Sequence, residues 1–416
     1  MDDDGRRRVG YGAALASREL RALVAGQLVS VAGTSVAAVA LTIIVYRRTE
    51  SPLLSSLTFA LGFVPYVLGG GLLSGVVDRV RPRRLVVGCD TAAAVLAAVM
   101  AVPGLPVSVL FALLLAIGTL SAIDGGARAE LVRASVSADA YVPARSLLRI
   151  AVQLAQVVGN AGGGTLLLVL SPSGTLLVNA ASFAFSAASA RLGVGDHPNS
   201  GEPARGSVVG DSLRGARSIL AQPELRRLLV LGWLAPMFSV APEALAAPYV
   251  AERHGSAALV GWWLVALPLG LIAGDVFGVR LLTQRVQRRV VGPAVVAGFV
   301  PYLGFAGRPP IPVALGLLVL SGFFSLYALG LDARVRDAVP PGQFARTMTL
   351  NSAGLMTLQG IGFALAGAVA QLTGPATAIT LAGVVGIVGT GVLLRPRHAA
   401  TAEPSRRSPT TDLRGA

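Results

Sequence analysis

Long apolar runs recur along the whole chain and leave it few ways to fold. The first covers residues 23–46, and eleven more follow it. A helix needs about 20 mainly apolar residues to cross the hydrocarbon core of a bilayer. We therefore predict an all-α integral membrane protein with twelve transmembrane helices, the other eleven near residues 53–77, 85–103, 106–124, 146–170, 174–193, 228–250, 257–279, 290–306, 310–331, 348–371 and 375–394.

The composition excludes several kinds of chemistry. Only 13% of the 416 residues are charged, about half the share of a soluble domain. All 35 basic residues are arginine, so the chain has neither the lysine of a Walker A phosphate loop nor an amine for a Schiff base. Cys89 is the single cysteine, and the three histidines fall outside the apolar runs. We expect no enzymatic activity, no cofactor and no metal site.

The arginines indicate the orientation in the membrane. With the N-terminus in the cytoplasm, 31 arginines fall in cytoplasmic tails and loops and 4 on the other side, namely Arg47, Arg48, Arg253 and Arg308. This asymmetry follows the positive-inside rule, and it places both termini in the cytoplasm. We expect the protein to lie in the inner membrane of a bacterium. Scattered short-loop arginines are also unlike the single basic face of a nucleic-acid-binding protein, so we expect no nucleic-acid partner.

The longest loop divides the apolar runs six and six. We predict a cytoplasmic N-terminal tail over residues 1–20, helix bundles over 21–194 and 228–395, a linker over 195–227, and a disordered cytoplasmic tail over 396–416. The second part of the linker, Asp211–Arg227, mixes leucine and isoleucine with arginine. That pattern predicts an amphipathic helix lying on anionic headgroups.

The two halves look like distant copies of one another. Arg83-Arg84 follows the second run and Arg288-Arg289 follows the eighth. Similar arginine-containing loops follow runs 4 and 10, and runs 5 and 11 both begin polar and become rich in glycine. We therefore predict two pseudo-symmetric six-helix bundles.

The loop between runs 2 and 3 reads GVVDRVRPRR. It resembles the G-x-x-x-D-R-x-x-R-R pattern found at this place in the major facilitator superfamily. The matching residues are Gly75, Asp78, Arg79, Arg83 and Arg84, with Pro82 where the family usually has arginine. The resemblance covers residues 20–395 and implies the twelve-helix fold of that family, with the transport pathway between the two halves.

In this resemblance the loop implies a cytoplasmic gate. Arg79 and Arg83 would pair with Asp124 or Glu130 at the end of run 4, and Asp90 would join Arg83, Arg84 or Arg149. Asp78 would cap or pair with the cytoplasmic start of run 11. The alternative is that the arginines only obey the positive-inside rule, although that rule does not explain Asp78.

The fifth run resembles the helix-5 signature of drug-exporting members of the family. Its stretch is Gly159-Asn160-Ala161-Gly162-Gly163-Gly164, with Asn160 where the signature has proline. Glycine lets two helix backbones approach closely, so Gly159, Gly163 and Gly164 are candidate packing positions. Ordinary small-residue packing is the alternative.

Carboxylates inside apolar runs are the main candidates for function, because a charge in the membrane is costly. Glu243 lies between Pro242 and Pro248 in a stretch that we expect to be irregular. It could bind a coupling proton or a cationic substrate group, or it could be a water-exposed acid near the outer end. Asp275 in run 8 could also bind a proton or substrate, or form a structural pair with Arg280.

Polar groups near the expected pathway complete the candidate list. Gln27 in run 1 and Trp233 in run 7 are possible pocket residues, because runs 1, 4, 7 and 10 line the cavity in this family. The family's drug-efflux group, which includes macrolide exporters, often has an acid in helix 1, where this chain has Thr34 and Ser35. The coupling role would then fall to Glu243.

The resemblance implies a multidrug:proton antiporter that acts as a monomer in the lipid bilayer. Its partners would be protons and a small hydrophobic or weakly cationic substrate. A proton-coupled importer of a metabolite is the alternative within transport. A receptor or scaffold that keeps the fold without transporting is the alternative outside it.

Overall fold

A computed structural model describes residues 16–72, 80–137, 141–197, 216–340 and 343–394. The described part is built from helices and contains no strand. In chain order the long helices are α1 Arg18–Thr49, α2 Pro52–Leu72, α3 Pro82–Met100, α4 Val107–Ser135, α5 Tyr141–Val169, α6 Pro172–Gly193, α7 Pro223–Ala251, α8 Ala257–Leu281, α9 Gln284–Leu303, α10 Ile311–Ala338, α11 Phe344–Thr373 and α12 Pro375–Leu394.

Nine of these helices, within the described residues, are long and apolar enough to cross a membrane. The apolar described part of α2 is shorter, Pro52–Pro65. α3 carries Arg83, Arg84 and Asp90 within its 19 residues. α6 carries several small polar side chains that the bundle buries, including Asn179 and Ser186. The sequences of α3 and α6 are therefore less apolar than those of the nine helices, although both are packed in the bundle in the same way.

Short connections make successive helices run in opposite directions. Ser17 and Ser171 cap α1 and α6 by accepting hydrogen bonds from backbone N–H groups three residues later. Proline begins α2, α3, α6, α7 and α12, where its missing N–H costs no helical hydrogen bond. We call the end of the molecule at which α1 begins the Arg18 end, and the end at which α1 finishes the Thr49 end.

Each half of the chain forms its own six-helix bundle, and the packing repeats. In the N-terminal bundle α1 packs on α5 and α6, α3 on α4 and α6, and α2 on α4. In the C-terminal bundle α7 packs on α11 and α12, α9 on α10 and α12, and α8 on α10. Every one of these pairs becomes its counterpart when six is added to each helix number. The predicted pseudo-symmetric bundles are thereby confirmed.

The two bundles meet mainly through α2 with α11 and α5 with α8, which are again equivalent pairs. The hydroxyl of Ser51 donates to Oε1 of Gln371 at 2.6 Å. Further in, the rings of Phe59 and Phe363 stack with their centroids 5.1 Å apart. On the other side, a Cβ built on Gly164 would lie 2.9 Å from the backbone nitrogen of Gly261. These contacts all lie in the half of the molecule nearest to the Thr49 end.

The described part of the linker belongs to the C-terminal bundle. Residues 216–220 form a helical turn and α7 begins at Pro223, earlier than residue 228. Ile219 and Leu225, which we expected on headgroups, are each 1% exposed and lie in the bundle core. Arg217 remains exposed, so the turn is amphipathic, but its apolar face packs on protein. The rest of the linker and both predicted tails fall mostly outside the described residues.

Candidate functional site

A network of buried charges joins three helices of the N-terminal bundle. Arg128 of α4 donates from Nη2 to Oδ2 of Asp90 on α3 at 2.6 Å, and from Nε to Oδ2 of Asp124 on its own helix at 2.5 Å. The same Nη2 lies 2.7 Å from the hydroxyl oxygen of Ser186 on α6, which accepts the hydrogen bond. The exposed fractions are 4% for Arg128, 4% for Asp90 and 9% for Asp124.

Local sequence explains how this network is built. Asp124 and Arg128 are four residues apart, which places their side chains on one face of α4. Gly26 of α1 leaves room for Ser186, because a Cβ there would lie 3.1 Å from the Ser186 hydroxyl. Leaving either kind of charge alone in this interior would be strongly unfavourable, so the three ions stabilise one another.

The network keeps unused hydrogen-bonding capacity. Oδ1 of Asp124, Nη1 of Arg128 and Oε1 of Gln27 are buried and have no hydrogen-bond partner among the described residues. Gln27 follows Gly26 on α1, which places it on the helix that passes Ser186. With two carboxylates and one guanidinium, the three side chains carry one negative charge when all are ionised.

Sequence analysis missed Arg128, although it is the centre of the network. We expected Asp90 to pair with Arg83, Arg84 or Arg149, and Asp124 with Arg79 or Arg83. Arg83 instead donates to the carbonyl oxygen of Arg191, and Arg84 is exposed. Because Arg83 and Arg84 begin α3, they lie about 10 Å along the helix from Asp90. The spacing of Asp124 and Arg128 at the end of the fourth apolar run is the only local signal, and it is the same as that of an exposed helical pair.

Other charged groups lie at the Arg18 end. Glu130 is paired with Arg133 at 2.8 Å. Glu19 accepts from the backbone N–H of Gly195 at 2.9 Å and is paired with His197 at 2.8 Å. The remaining predicted gate residues, Gly75, Asp78 and Arg79, lie outside the described residues, so their part in a gate stays a prediction.

Glu243 lies where α7 is broken into shorter segments. The helix ends at Ser239, resumes over Ala241–Ala244 and again over Ala246–Ala251. The predicted irregularity of this stretch is therefore confirmed. Its backbone is held from outside, since Trp263 Nε1 donates to the Pro242 carbonyl at 2.7 Å. The Glu243 side chain is half-buried and has no hydrogen-bond partner among the described residues.

The other pocket candidates lie apart from one another. Trp233 donates from Nε1 to Oδ1 of Asn351 on α11 at 3.0 Å, inside the C-terminal bundle. Asp275 is half-buried on α8. No described contact joins Gln27, Trp233 and Glu243 into one site, and the described residues contain no group of His, Cys, Asp and Glu suited to a metal ion.

The glycines of α5 mark two close helix crossings. A Cβ on Gly159 would lie 2.5 Å from the Ala32 carbonyl oxygen, and one on Gly163 would lie 3.0 Å from Cα of Val36, both on α1. Gly164 faces the other bundle, and the Asn160 carbonyl oxygen lies 2.7 Å from a Cβ built on Gly261 of α8. One stretch thus packs α5 within its own bundle and against the partner bundle.

Comparisons with known proteins agree with this architecture. Residues 229–415 match the family model of the Major Facilitator Superfamily. The multidrug efflux pump Tap of Mycolicibacterium fortuitum is 26% identical over an alignment of 308 residues that covers 70% of this chain and 74% of that protein.

Solved transporters share the fold at low sequence identity. A POT family transporter in complex with a thioalcohol-conjugated peptide has a TM-score of 0.72 at 14% identity, with 91% of this chain and 95% of that chain covered. The nucleoside transporter NupG gives 0.70 at 14%, covering 91% and 100%. A bacterial homologue of the human lysosomal transporter Spinster, in an inward-facing conformation, gives 0.66 at 15%, covering 90% and 94%.

Proposed function

We propose that this chain is a transporter of the major facilitator superfamily that exports small hydrophobic or weakly cationic molecules across a bacterial inner membrane in exchange for protons. It is a multi-pass membrane transporter and not an enzyme. The observation that carries the export proposal is the similarity to a multidrug efflux pump over most of the chain. The arginine distribution supports placing the Arg18 end, with both termini, in the cytoplasm.

The packing suggests how the two bundles alternate access. Their close contacts lie toward the Thr49 end, which this orientation places outside. The described arrangement is then closed toward the outside, and transport requires the α2–α11 and α5–α8 contacts to open as the bundles rock. Because the two pairs are equivalent by symmetry, they can open together without deforming either bundle.

Glu243 is our candidate for the coupling proton or for a cationic substrate group. It lies between two breaks of α7, and no ion pair to its side chain is present among the described residues. A carboxylate in a membrane interior is costly when charged, which favours loading by a proton or a cation. Asp275, Gln27 and Trp233 remain further candidates for contact with substrate.

The charges of the Arg18 end support a cytoplasmic gate. We propose that Asp78, Arg79 and Gly75, with Arg83 and Arg84, close this end when the bundles rock toward it. The Asp90–Arg128–Asp124 network would serve as the rigid support of that loop, because it fixes α3 and α4 to α6. Glu130 lies six residues after Asp124 on the same helix and would take part through it.

Drug accumulation in cells tests the proposed direction and coupling. Cells that express the protein should accumulate less of a hydrophobic cationic dye than cells with an empty vector. A protonophore should abolish the difference, since it collapses the proton gradient that drives export. Higher accumulation in the expressing cells would instead indicate an importer. An unchanged level across a panel of hydrophobic and cationic compounds would indicate a receptor or scaffold.

A further inference from the structure

A cavity of about 1020 Å³ lies at the Arg18 end of the C-terminal bundle. It is formed by the beginnings of α7 and α9 and the ends of α10 and α12. Four arginines line it, namely Arg227, Arg288, Arg289 and Arg334. Four arginines around one cavity are unusual in a chain with so little charge, and none of the roles proposed above uses them.

The equivalent place in the N-terminal bundle is filled by the buried charge network. Aligning Arg83-Arg84 with Arg288-Arg289, and Ala127-Arg128 with Ala333-Arg334, makes Arg334 the counterpart of Arg128. The same registers place Val295 where Asp90 stands and Gly330 where Asp124 stands. The C-terminal bundle has therefore kept the arginine and lost both of its carboxylate partners.

Close helix packing explains the missing carboxylate at Gly330. A Cβ on this glycine would lie only 2.2 Å from the carbonyl oxygen of Gln287 on α9, so α9 and α10 cross too closely for any side chain there. Arg334 donates instead to the backbone carbonyl of Arg288. A carbonyl oxygen accepts a hydrogen bond but does not neutralise the guanidinium charge.

The charges lining the cavity do not balance. Among the described residues that line it, the carboxylates are those of Glu224 and Asp337, against four guanidinium groups. Asp337 is paired with Nη1 of Arg288 at 2.7 Å. Nε of Arg288 is buried and has no hydrogen-bond partner among the described residues. Among the described lining residues the guanidinium groups therefore outnumber the carboxylates by two, and one N–H donor, Nε of Arg288, is unused.

The walls of the cavity are amphipathic. Leu228, Leu231 and Val296 line it beside the arginines. On α12 the cavity is lined by Gly391, and the neighbouring Val392 is 57% exposed on the apolar surface of the helix. A ligand with an anionic group and an apolar part could contact both the arginines and the apolar side chains.

We propose that this cavity binds a phosphate group, held by Arg289 and Arg334 with Arg227 and Arg288 beside them. Guanidinium groups bind phosphate oxygens through paired charge-assisted hydrogen bonds. The phosphate would give Arg334 the negative charge and the acceptor oxygens that Asp90 and Asp124 give Arg128 in the N-terminal bundle. The apolar wall favours the headgroup of an anionic phospholipid as the source of the phosphate, and free phosphate is the other source. This site does not depend on the proposed export function.

Ligand titration of the purified full-length protein, followed by native mass spectrometry, tests the proposal. The three probes are phosphatidylglycerol, phosphatidylcholine with the same acyl chains, and inorganic phosphate. We expect phosphatidylglycerol to bind the wild-type protein more tightly than phosphatidylcholine. Arg289→Gln and Arg334→Gln should each weaken that binding roughly fivefold, because one arginine near an anionic headgroup contributes about 1 kcal/mol.

Arg336→Gln is the matched control, since Arg336 lies on the same helix, is exposed and does not line the cavity. It should leave the binding unchanged. Arg289 is itself exposed, so its variant should fold even if Arg334→Gln does not. If binding of inorganic phosphate depends on Arg289 and Arg334 while the two lipids bind alike, the occupant of the cavity is free phosphate and not a lipid headgroup. Equal binding of all probes by wild type and both variants, or an equal loss in Arg336→Gln, would overturn the proposal.

Discussion

The ring of Phe363 on α11 stacks on that of Phe59 on α2, with centroids 5.1 Å apart, and so joins the two bundles. Phe63, one turn further along α2, stacks on the same ring at 5.5 Å. Phe363 is 1% exposed. One side chain of the C-terminal bundle thus contacts two aromatic side chains of the N-terminal bundle, in the half of the molecule nearest to the Thr49 end.

Phe363→Ala should open the molecule at the Thr49 end. Two aromatic contacts contribute about 1–3 kcal/mol, so the closed state should lose roughly a factor of ten in population. The measurement is labelling of Ala60→Cys by a membrane-impermeant thiol reagent, with the buried Cys89 replaced by alanine. Labelling from the outside should become faster.

Phe305→Ala is the control for that experiment. Phe305 is equally buried, but its ring contacts Tyr249 and Trp263 within the C-terminal bundle. It should destabilise the fold without changing the labelling rate. Equal labelling of the two variants would show that Phe363 does not hold the bundles together.

Arg128→Met should destabilise the protein strongly. It would leave Asp90 and Asp124 buried without their cation, and breaking a buried ion pair in this way costs about 3–5 kcal/mol. Thermal unfolding in detergent measures the effect. Arg133→Met is the matched control, because its pair with Glu130 is exposed and contributes at most about 1 kcal/mol.

A rescue distinguishes lost charge balance from lost packing. Adding Asp90→Asn and Asp124→Asn to Arg128→Met removes the uncompensated charges, and should recover much of the stability. If Arg128→Met unfolds at the temperature of Arg133→Met, the network does not stabilise the bundle.

The sequence and the structure agree where local patterns decide the fold. The lengths of the apolar runs predict the helices, and Pro242 and Pro248 predict the breaks around Glu243, because both depend on neighbours in the chain. Arg128 could not be recognised in this way. Its spacing from Asp124 looks like a surface pair, and only the packing of α3 and α6 brings Asp90 and Ser186 to it.

Contacts between the bundles also could not be predicted from local sequence patterns. Phe59 and Phe363 are ordinary members of apolar runs, and nothing near either residue indicates its partner. The small residues gave a partial signal. The glycine stretch of α5 predicted a close approach, but it did not say that Gly159 faces α1 while Gly164 faces α8. Ile219 was placed on the membrane surface because an amphipathic turn has the same pattern whether lipid or protein covers it.

Glu243→Gln should abolish proton-driven export while leaving the protein folded in the membrane. The amide keeps the shape of the side chain but cannot release a proton, so coupling through this group would be lost. In inverted vesicles the cytoplasmic face points outward, so the activity appears as uptake. Uptake of substrate into these vesicles under an imposed pH gradient should fall to the level of vesicles without the protein. Glu252→Gln, an exposed acid at the end of the same helix, should transport normally. Wild-type rates in Glu243→Gln would exclude it as the proton carrier.

Asp78→Asn should impair transport and leave membrane insertion intact. A gate residue acts in the conformational cycle, whereas the positive-inside rule depends little on a single acid. The transport rate is compared with the amount of protein in the membrane fraction. Asp196→Asn is the control, since Asp196 pairs with Arg81 near the same end in an exposed ion pair. Similar rates for the two variants would leave the loop with a role in orientation alone.

Gly164→Ala should separate α5 from α8. A Cβ at this position would lie 2.6 Å from the Ala257 carbonyl oxygen and 2.9 Å from the Gly261 nitrogen, and backbone atoms cannot move aside as a side chain can. Gly162→Ala is a matched control on the same helix, because a Cβ there meets nothing within 4 Å. Both substitutions improve helix propensity by about 1 kcal/mol, so the difference between them reports the crossing alone. In the Ala60→Cys labelling experiment, Gly164→Ala should increase access from the Thr49 end and Gly162→Ala should not. Equal labelling would mean that the bundles close without close contact between α5 and α8.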